Sequence, residues 1–199
     1  MGEVHNIPVY STEDILKGIN KCYKITEKLY QSKKPIKIGE ETIIKDFKIT
    51  PFEVEHDSSQ CVGYYIEFKG EKITIATDLG GINDIAKQYI CAADHVVIEA
   101  NYDATMLQNG PSPLYLKRRI VAPRGHMDNA ETAEFLATTY RPELTHIFLC
   151  HLSLDNNHPQ LAYKTIEGRL YNEGIRVGKD VQLVTLARNH PSALYTFEK

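Results

Sequence analysis

Three side chains of metal-binding type stand where apolar segments of the sequence end. They are His56 after PFEVE, Asp78 after KITIAT and His151 after IFLC. Imidazole and carboxylate groups suit a borderline metal such as zinc, manganese or iron. If the three segments are strands, the ligands could converge at one edge of a sheet. Spacing alone leaves another interpretation open, in which each side chain is hydrogen-bonded to nearby groups and binds no metal.

A fourth cluster places an arginine and a histidine at the start of a helix. In APRGHMDNAETAEFL, the residues Arg124, Gly125 and His126 directly precede a predicted helix N-terminus. Free backbone N–H groups and the helix dipole favour an anion at such a position. The upstream segment YLKRRI adds three basic residues, Lys117, Arg118 and Arg119. The pattern is typical of an anion site, and the alternative is a solvated basic helix start with an ordinary cap.

The segments that would position these residues read as strands. We predict strands at 7–10, 37–56, 61–68, 72–78, 95–100, 146–152 and 181–186. The alternation within 37–56 is typical of half-buried antiparallel strands. The segments 61–68 and 72–78 flank KGEK, a tight turn that contains Gly70, which predicts a hairpin. The last three segments are strongly apolar and suit central strands that are buried on both faces.

Helices are predicted between these strands, at 12–29, 103–120, 128–140 and 158–174. The second is interrupted around Gly110 and Pro111. The third opens with the capping-box spacing of Asp128 and Glu131. The fourth begins near Pro159 and ends near Gly174. A hairpin-rich first half followed by alternating strands and helices predicts an α/β chain, with helices packed on mixed sheets in a single domain over 1–199.

Length and charge limit the possible functions. The chain has 199 residues, of which 42% are hydrophobic and 25% charged, and its net charge is −3. This is enough chain for one good-sized domain with an ordinary core. A protein that binds nucleic acid through bulk charge is usually basic. Binding of phosphate groups would therefore depend on a local basic patch.

The cysteine pattern favours a reducing compartment. Cys22, Cys61, Cys91 and Cys150 are scattered without a C-x-x-C pair, which fits neither a disulfide framework nor a zinc ribbon. No apolar run approaches the roughly 20 residues that a membrane span needs. The first residues lack the basic and apolar regions of a signal peptide. We therefore expect a cytoplasmic protein that does not interact with a membrane.

Several longer blocks of the sequence resemble a known family. The blocks are CVGYYIE, ATDLG, IEANYDATMLQNGPSPLYLKRRI, RGHMDNAETAEFLA and FLCHLSLDNN. Together they resemble the YycJ/WalJ-like group of small bacterial nucleases in the metallo-β-lactamase superfamily, nearly throughout the chain. The resemblance implies an αββα sandwich with mixed sheets. It also implies two divalent metal ions, zinc or manganese, and hydrolysis of phosphodiester bonds in DNA by an exonuclease.

The same resemblance implies roles for individual residues. His56, Asp78 and His151 become metal ligands, with the Asp78 carboxylate bridging two metals. His126 becomes the residue that contacts the scissile phosphate. Asp78 and His126 are therefore the candidate catalytic residues. The candidate substrate-binding residues are Arg124, His126 and Asn129.

The sequence also departs from the family pattern. The His-x-His-x-Asp-His motif that defines the superfamily is absent, and the only histidine before His56 is His5. We therefore expect a fold that is incomplete at its N-terminus. Three explanations stay open: a truncated chain, a missing part supplied by another chain, or a relative that has lost catalysis. Two smaller departures are Tyr102, where a histidine is expected after EAN, and Asp128, where a serine is expected after RGHM.

These departures shape the expected function. We expect the isolated chain to hydrolyse nucleic acid weakly or not at all, and to self-associate through exposed sheet edges. The first alternative is a non-catalytic module that binds protein or nucleic acid. The second alternative is a hydrolase of the same fold that acts on a thioester or lactone. The blocks RGHMDN and LKRR argue against that alternative, since such a substrate has less need of anion-binding groups.

Overall fold

The computed structural model describes residues 3–197, and within them short strands precede and then alternate with helices. The strands are β1 Val9–Ser11, β2 Lys33–Pro35, β3 Thr42–Ile44, β4 Phe47–Glu53, β5 Val62–Phe68, β6 Glu71–Ala76, β7 His95–Glu99, β8 His146–Cys150 and β9 Gln182–Thr185. The helices are α1 Glu13–Lys21, α2 Asp84–Ala92, α3 Ala104–Asn109, α4 Leu114–Ile120, α5 Asn129–Thr139 and α6 Pro159–Asn172.

Seven strands form one mixed sheet in the order in which they occur in the chain, from β3 to β9. Neighbours from β3 to β6 are antiparallel, and neighbours from β6 to β9 are parallel. The predicted hairpin of β5 and β6 is confirmed, with Lys69 and Gly70 at φ 50° and 85° in its turn. Because β4 and β6 are both antiparallel to β5, they run in the same direction. The strands β4, β6, β7, β8 and β9 therefore all end at one side of the sheet, here called the carboxyl edge.

One face of this sheet holds the main core. Val96 and Ile98 of β7 lie beside Ile147 and Leu149 of β8, and all four side chains are fully buried. They pack with apolar residues of α2, α5 and α6 in one continuous cluster. Burial of each such side chain contributes roughly 1.5–3 kcal/mol. The central strands that end at the carboxyl edge are thus rigidly held.

The opposite face of the sheet is covered differently. Its central positions include Ile75 and Val97, which are only partly buried. Near β8, Tyr195 from the end of the chain packs against Phe148 with ring centroids 5.0 Å apart. Near β5, the Ser11 hydroxyl lies 3.1 Å from the Tyr64 hydroxyl. Segments from both ends of the described chain therefore contribute to this face.

The predicted α/β class with mixed sheets is confirmed, and the second sheet within residues 3–197 consists of β1 and β2, paired in parallel. The helix predicted over 12–29 is wrong in its extent, because α1 ends at Lys21. The Asn20 side chain donates to the Leu29 carbonyl oxygen at 2.6 Å and accepts from the Leu29 N–H at 2.7 Å. This pair of hydrogen bonds folds the chain back after α1. The residues that follow α1 are therefore not helical, although their apolar spacing predicted a helix.

The other predicted helices are confirmed in outline. The interruption near Gly110 separates α3 from α4, and the capping box of Asp128 and Glu131 is present at the start of α5. Pro159 opens α6, and Gly174 follows its end with φ 79°. Among residues 3–197, no helix has the length and apolarity that a bilayer crossing requires.

Candidate metal centre and its surroundings

The three predicted ligands lie together at the carboxyl edge. His56 follows β4, Asp78 follows β6 and His151 follows β8. His56 Nε2 lies 3.7 Å from Asp78 Oδ1, and His151 Nε2 lies 3.6 Å from the same oxygen. Two atoms that each bind one metal at about 2.1 Å can be at most about 4.2 Å apart, so each spacing is compatible with an ion held by that histidine together with Asp78. The expected convergence of the three side chains is confirmed, while metal binding itself stays a prediction.

Hydrogen bonds from Nδ1 orient the rings of His56 and His151. His56 Nδ1–H donates to the Gly125 carbonyl oxygen at 2.9 Å. His151 Nδ1–H donates to Glu99 Oε1 at 2.8 Å. In both rings, Nε2 is therefore left as the nitrogen that faces Asp78. Such a bond to a carbonyl or carboxylate fixes the tautomer and orientation of metal-binding histidines.

Glu99, the last residue of β7, is the buried carboxylate that organises this cluster. Its side chain is fully buried, and Oε1 accepts from His151 Nδ1 and from His126 Nδ1, the latter at 2.7 Å. Oε2 accepts from the Leu79 N–H. Burial alone would raise the pKa of Glu99, but the hydrogen bonds from His126 and His151 outweigh burial and lower the pKa below 4.5. Glu99 is therefore an anion at neutral pH.

The charge on Glu99 acts on His151. The hydrogen bond to Glu99 raises the pKa of His151 above 6.5, against the opposing effect of burial. The side chain of His151 is nevertheless 41% exposed, so its Nε2 side is accessible from solvent. The hydrogen bond to Glu99 therefore fixes the orientation of the His151 ring and makes the ring more basic.

His126 lies between the other two histidines, as expected for a residue of the same cleft. Its ring centroid is 4.9 Å from that of His56 and 5.2 Å from that of His151. His56, Asp78 and His126 form one compact group whose ligand atoms lie within 4.8 Å of one another, and Glu99, His126 and His151 form a second. In the second group the short contacts are Nδ1–H bonds to Glu99, so we interpret it as a hydrogen-bonded support. The first group places His126 beside the atoms of His56 and Asp78 that face the proposed metal, and the bond of His151 Nδ1 to Glu99 leaves His151 Nε2 for Asp78.

Two of the predicted ligands occupy backbone conformations that L-residues rarely adopt. Asp78 has φ 59° and His151 has φ 55°. Each lies just beyond the end of a strand that has a parallel neighbour. Asn101 Nδ2 donates to the His151 carbonyl oxygen at 2.7 Å, which holds this conformation in place. Backbone strain of this kind costs roughly 1–3 kcal/mol and is concentrated at functional sites.

Two glycines let the Arg124 segment approach the metal cluster. A Cβ atom on Gly80 would lie within 2.5 Å of the Pro123 carbonyl oxygen and would overlap the backbone of Arg124. A Cβ atom on Gly125 would overlap the carbonyl oxygens of Arg119 and Ile120. Neither position has room for a side chain. His126 is therefore brought to the cluster by tight packing of two loops.

The basic residues upstream of His126 differ in their surroundings. Arg124 is exposed. Lys117 Nζ donates to the carbonyl oxygens of Gln108 and Gly110, which ties α4 to the end of α3. Arg119 forms a two-bond ion pair with Asp57, with NH2–Oδ1 at 3.0 Å, and this pairing lowers the pKa of Asp57 to about 2. Only part of the predicted basic patch is therefore free to meet an anion.

Asn129, predicted to bind substrate, lies inside the protein. Its side chain is 1% exposed, and its amide exchanges hydrogen bonds with the Asn157 amide at 3.0 and 2.9 Å. Asn157 also donates to the carbonyl oxygens of Ala100 and Asn101. These bonds link the start of α5 to the end of β7. This arrangement favours a supporting role for Asn129.

Tyr102 and Asp128, the two smaller departures from the family pattern, both contact neighbouring residues of the protein. Tyr102 is buried with Leu107 and Ile120 in a small apolar cluster. Burial raises the pKa of Tyr102 to about 12. Asp128 accepts a hydrogen bond from the Glu131 N–H at 2.7 Å, so its carboxylate caps α5.

Sequence reasoning missed Glu99 and Asn101. A signal for Glu99 was present, because a carboxylate in the strongly apolar strand HVVIEA must be paired or hydrogen-bonded if it is buried. Asn101 carried no such signal. Asn101 matters because its amide donates to the His151 carbonyl oxygen. The two residues are far apart in the sequence, so the sequence does not reveal this contact.

Comparison with known proteins identifies the family of this chain. The sequence model of a family described as "Beta-lactamase superfamily domain" matches residues 2–149. The structure is similar to the metallo-β-lactamase fold protein YhfI from Bacillus subtilis, with a TM-score of 0.59 and 16% identity, over 91% of this chain and 62% of that one. The chain therefore belongs to the metallo-β-lactamase superfamily.

Within that superfamily the chain falls in the YycJ/WalJ-like group. It is 32% identical over 180 residues to exodeoxyribonuclease YycJ of Bacillus anthracis, covering 90% of this chain and 67% of that protein. It is 29% identical over 180 residues to exodeoxyribonuclease WalJ of Streptococcus pneumoniae strain D39, covering 90% of this chain and 66% of that protein. The chain thus spans about two thirds of the length of these relatives.

Proposed function

We propose that this chain carries metal ligands of a metal-dependent phosphodiesterase that acts on DNA as an exonuclease. The observation that carries the proposal is the convergence of His56 and His151 on one Asp78 oxygen, at 3.7 and 3.6 Å. The names of the two exodeoxyribonucleases that the chain resembles support DNA as the substrate. The cleft supports a phosphate substrate as well, since it presents imidazole and guanidinium groups.

The donor set fits a divalent metal. Two imidazole nitrogens and a carboxylate oxygen suit zinc or manganese, the two metals that we propose. Asp78 lies between His56 and His151, as a carboxylate shared by two metal positions would. Bound there, a divalent ion would supply Lewis-acid polarisation of a phosphate oxygen.

The protein's own groups would then handle the substrate. His126 Nδ1–H is held by Glu99, so Nε2 is the nitrogen that can exchange a proton with the substrate or donate to a phosphate oxygen. We propose that His126 contacts the scissile phosphate in this way. Glu99 positions His126 and His151 together, because one oxygen accepts from both rings. Arg124, which is exposed, would meet the nucleic-acid backbone and not the bases.

We expect turnover by the 199-residue chain to be weak. Its sequence contains no His-x-His-x-Asp-His motif, so the ligands that this motif supplies in the superfamily are absent from these residues. This absence also supports a second candidate, a non-catalytic module that binds nucleic acid or protein. The thioester or lactone hydrolase is less favoured, because Arg119 and His126 lie together beside the metal cluster.

An assay of the purified chain on parallel substrates separates these candidates. End-labelled DNA and a thioester would be incubated with Zn²⁺ or Mn²⁺, using wild type, Asp78→Asn and, as a control, His5→Ala. We expect slow, metal-dependent release of nucleotides that the Asp78 variant loses and the His5 variant keeps. Release that persists in Asp78→Asn, or thioester turnover, would contradict the proposal. DNA binding without any hydrolysis would favour the non-catalytic module, and a rate equal to that of YycJ would contradict the expected weakness.

We further infer a cytoplasmic location. Cys22, Cys61, Cys91 and Cys150 are free in the described structure, which is the state expected in a reducing compartment. Burial raises the pKa of the Cys150 thiol to about 12, so this cysteine is protected from reaction. Thiol counting after rapid alkylation in intact cells would test the inference. Four reduced thiols support it, and an oxidised pair would contradict it.

A further inference from the structure

Beside the proposed metal centre lies a polar depression of about 210 Å³. Its walls include the polar residues His126, His151, Asn101, Ser153, Arg119 and Arg188. Guanidinium, imidazole, amide and hydroxyl groups are donors suited to the oxygens of a phosphate group. The depression therefore has the chemistry of an anion subsite that adjoins the metal centre.

A second, larger groove continues from this depression. It has a volume of about 530 Å³ and shares four residues with the depression, namely His151, Leu152, Ser153 and Arg188. Its further walls are mainly apolar and include Leu154, Pro159 and Leu186. Its volume falls in the range of about 300–1,000 Å³ typical of small-ligand sites. A polar depression joined to an apolar groove matches a ligand with an anionic end and a flat, largely apolar body.

Arg188 stands where the two parts meet. Its NH1 donates to the Leu152 carbonyl oxygen at 3.1 Å, which fixes the guanidinium against the loop after β8. It lines the depression together with His126 and His151, so the guanidinium lies close to the metal cluster. Arg119, by contrast, is already paired with Asp57. Within residues 3–197, no carboxylate forms an ion pair with Arg188. Arg188 therefore has the positive charge that is available to a ligand.

We propose that the depression and the groove form a subsite for one nucleotide at the end of a nucleic-acid chain. The depression takes its phosphate group, the groove takes its sugar and base, and Arg188 is the residue that selects for the phosphate. The proposal rests on the proposed function and deepens it, because gripping a terminal nucleotide beside the metal centre would restrict the enzyme to chain ends. The further walls of the groove are mainly apolar, which agrees with cleavage independent of sequence.

Binding of thymidine 5′-monophosphate, thymidine and inorganic phosphate to the full 199-residue chain tests this proposal. We expect thymidine 5′-monophosphate to bind at least tenfold more tightly than either part alone. Arg188→Gln should weaken binding of the nucleotide about tenfold or more and leave thymidine unchanged, because it removes charge-assisted bonds to the phosphate alone. The matched control is Arg176→Gln, at an exposed arginine that pairs with Asp180 away from the groove. Leu186→Asn, which adds no charge, should weaken nucleotide and thymidine alike.

Two outcomes would overturn the inference. One is equal affinity for the nucleotide and inorganic phosphate, and the other is an Arg188→Gln variant that binds the nucleotide as wild type does. Circular dichroism and the melting temperature of each variant would show that it is folded. Metal titration of Arg188→Gln separates this inference from the proposed function. If the metal binds as in wild type while nucleotide binding is absent in every variant, the subsite fails and the metal centre stands. If wild type binds no metal, the proposed function fails, whatever the nucleotide result.

Discussion

Glu99 is the residue on which the arrangement of the cleft depends most. It is fully buried, yet it accepts hydrogen bonds from two histidines and one backbone N–H. A buried carboxylate without such partners would be strongly destabilising. With them, one side chain sets the tautomer of both His126 and His151. A single substitution at this position should therefore alter two histidines at once.

Glu99→Gln tests this arrangement. Loss of the charge removes the main cause of the raised pKa of His151, so this pKa should fall towards or below 6.5. Histidine resonances followed by NMR as a function of pH would measure the shift. His146 is the internal control, since burial lowers its pKa and the nearest acidic influence is Glu71, not Glu99. An unchanged His151 titration in Glu99→Gln would contradict the proposed role of the carboxylate.

The same variant should change how stability depends on pH. The lowered pKa of Glu99 means that its stabilisation is present above about pH 4.5 and is lost as the pH falls. The raised pKa of His151 means that its stabilisation is present below about pH 6.5 and is lost as the pH rises through the folded-state pKa. The difference in unfolding free energy between wild type and variant should therefore be largest between these two values. It should amount to roughly 1.5–3 kcal/mol there, as measured by urea unfolding.

At the scale of elements, strand direction explains why the site forms. The ligands after β4, β6 and β8 meet because these strands run the same way, and β5 between β4 and β6 runs the other way. The sequence shows that His56, Asp78 and His151 each follow a strand. It does not show the order of strands in the sheet, which is decided by contacts between distant residues. The resemblance to a known family supplied only the expectation that the three residues share a site.

Other elements show where local sequence signals were sufficient. The capping box at Asp128 and the turn at Gly70 were predictable, because each depends on residues within four positions of one another. The extent of α1 was not predictable in this way. Its continuation was stopped by the Asn20 side chain bonding to Leu29, a contact between residues nine positions apart. Sequence patterns therefore predicted local elements better than contacts between them.

The close packing of the Gly80 loop against the Arg124 loop gives a prediction about stability. Gly80→Ala should destabilise the fold by about 1–3 kcal/mol, because the added Cβ would overlap the backbone of Arg124 and push His126 away from the cluster. Gly81→Ala is the matched control at the next residue, where a Cβ would meet no atom within 4 Å. Thermal unfolding of both variants measures the difference. Equal melting temperatures for the two variants would show that the loops are not packed as described.

At the scale of the whole molecule, the large sheet has a well-packed face and a partly covered one. The partly covered face and the edge strand β3 expose apolar side chains, including Ile43 at 68% and Phe47 at 40%. Exposed strand edges with apolar side chains favour pairing with another chain. We propose that the chain self-associates through this edge.

Ile43→Lys should reduce that self-association, because a charge on an edge strand opposes pairing. Multi-angle light scattering would measure the mass of wild type and variant over a range of concentrations. Val121→Lys is a control at an apolar residue that is also exposed, at 56%, but lies beyond the end of α4. A wild-type chain that stays monomeric at all concentrations, or an equal effect of both variants, would contradict the proposal.

Titration of the purified chain with Zn²⁺ by isothermal calorimetry tests the central claim most directly. Wild type should bind the metal, and His56→Ala, Asp78→Asn and His151→Ala should each weaken binding at least about tenfold, since changes even to groups that only support metal ligands cost about 10–100-fold. His5→Ala, which removes an exposed histidine far along the chain from the cluster, should bind as wild type does. Binding that is unaffected by all three ligand variants, or that is lost equally in His5→Ala, would contradict a metal centre at the carboxyl edge.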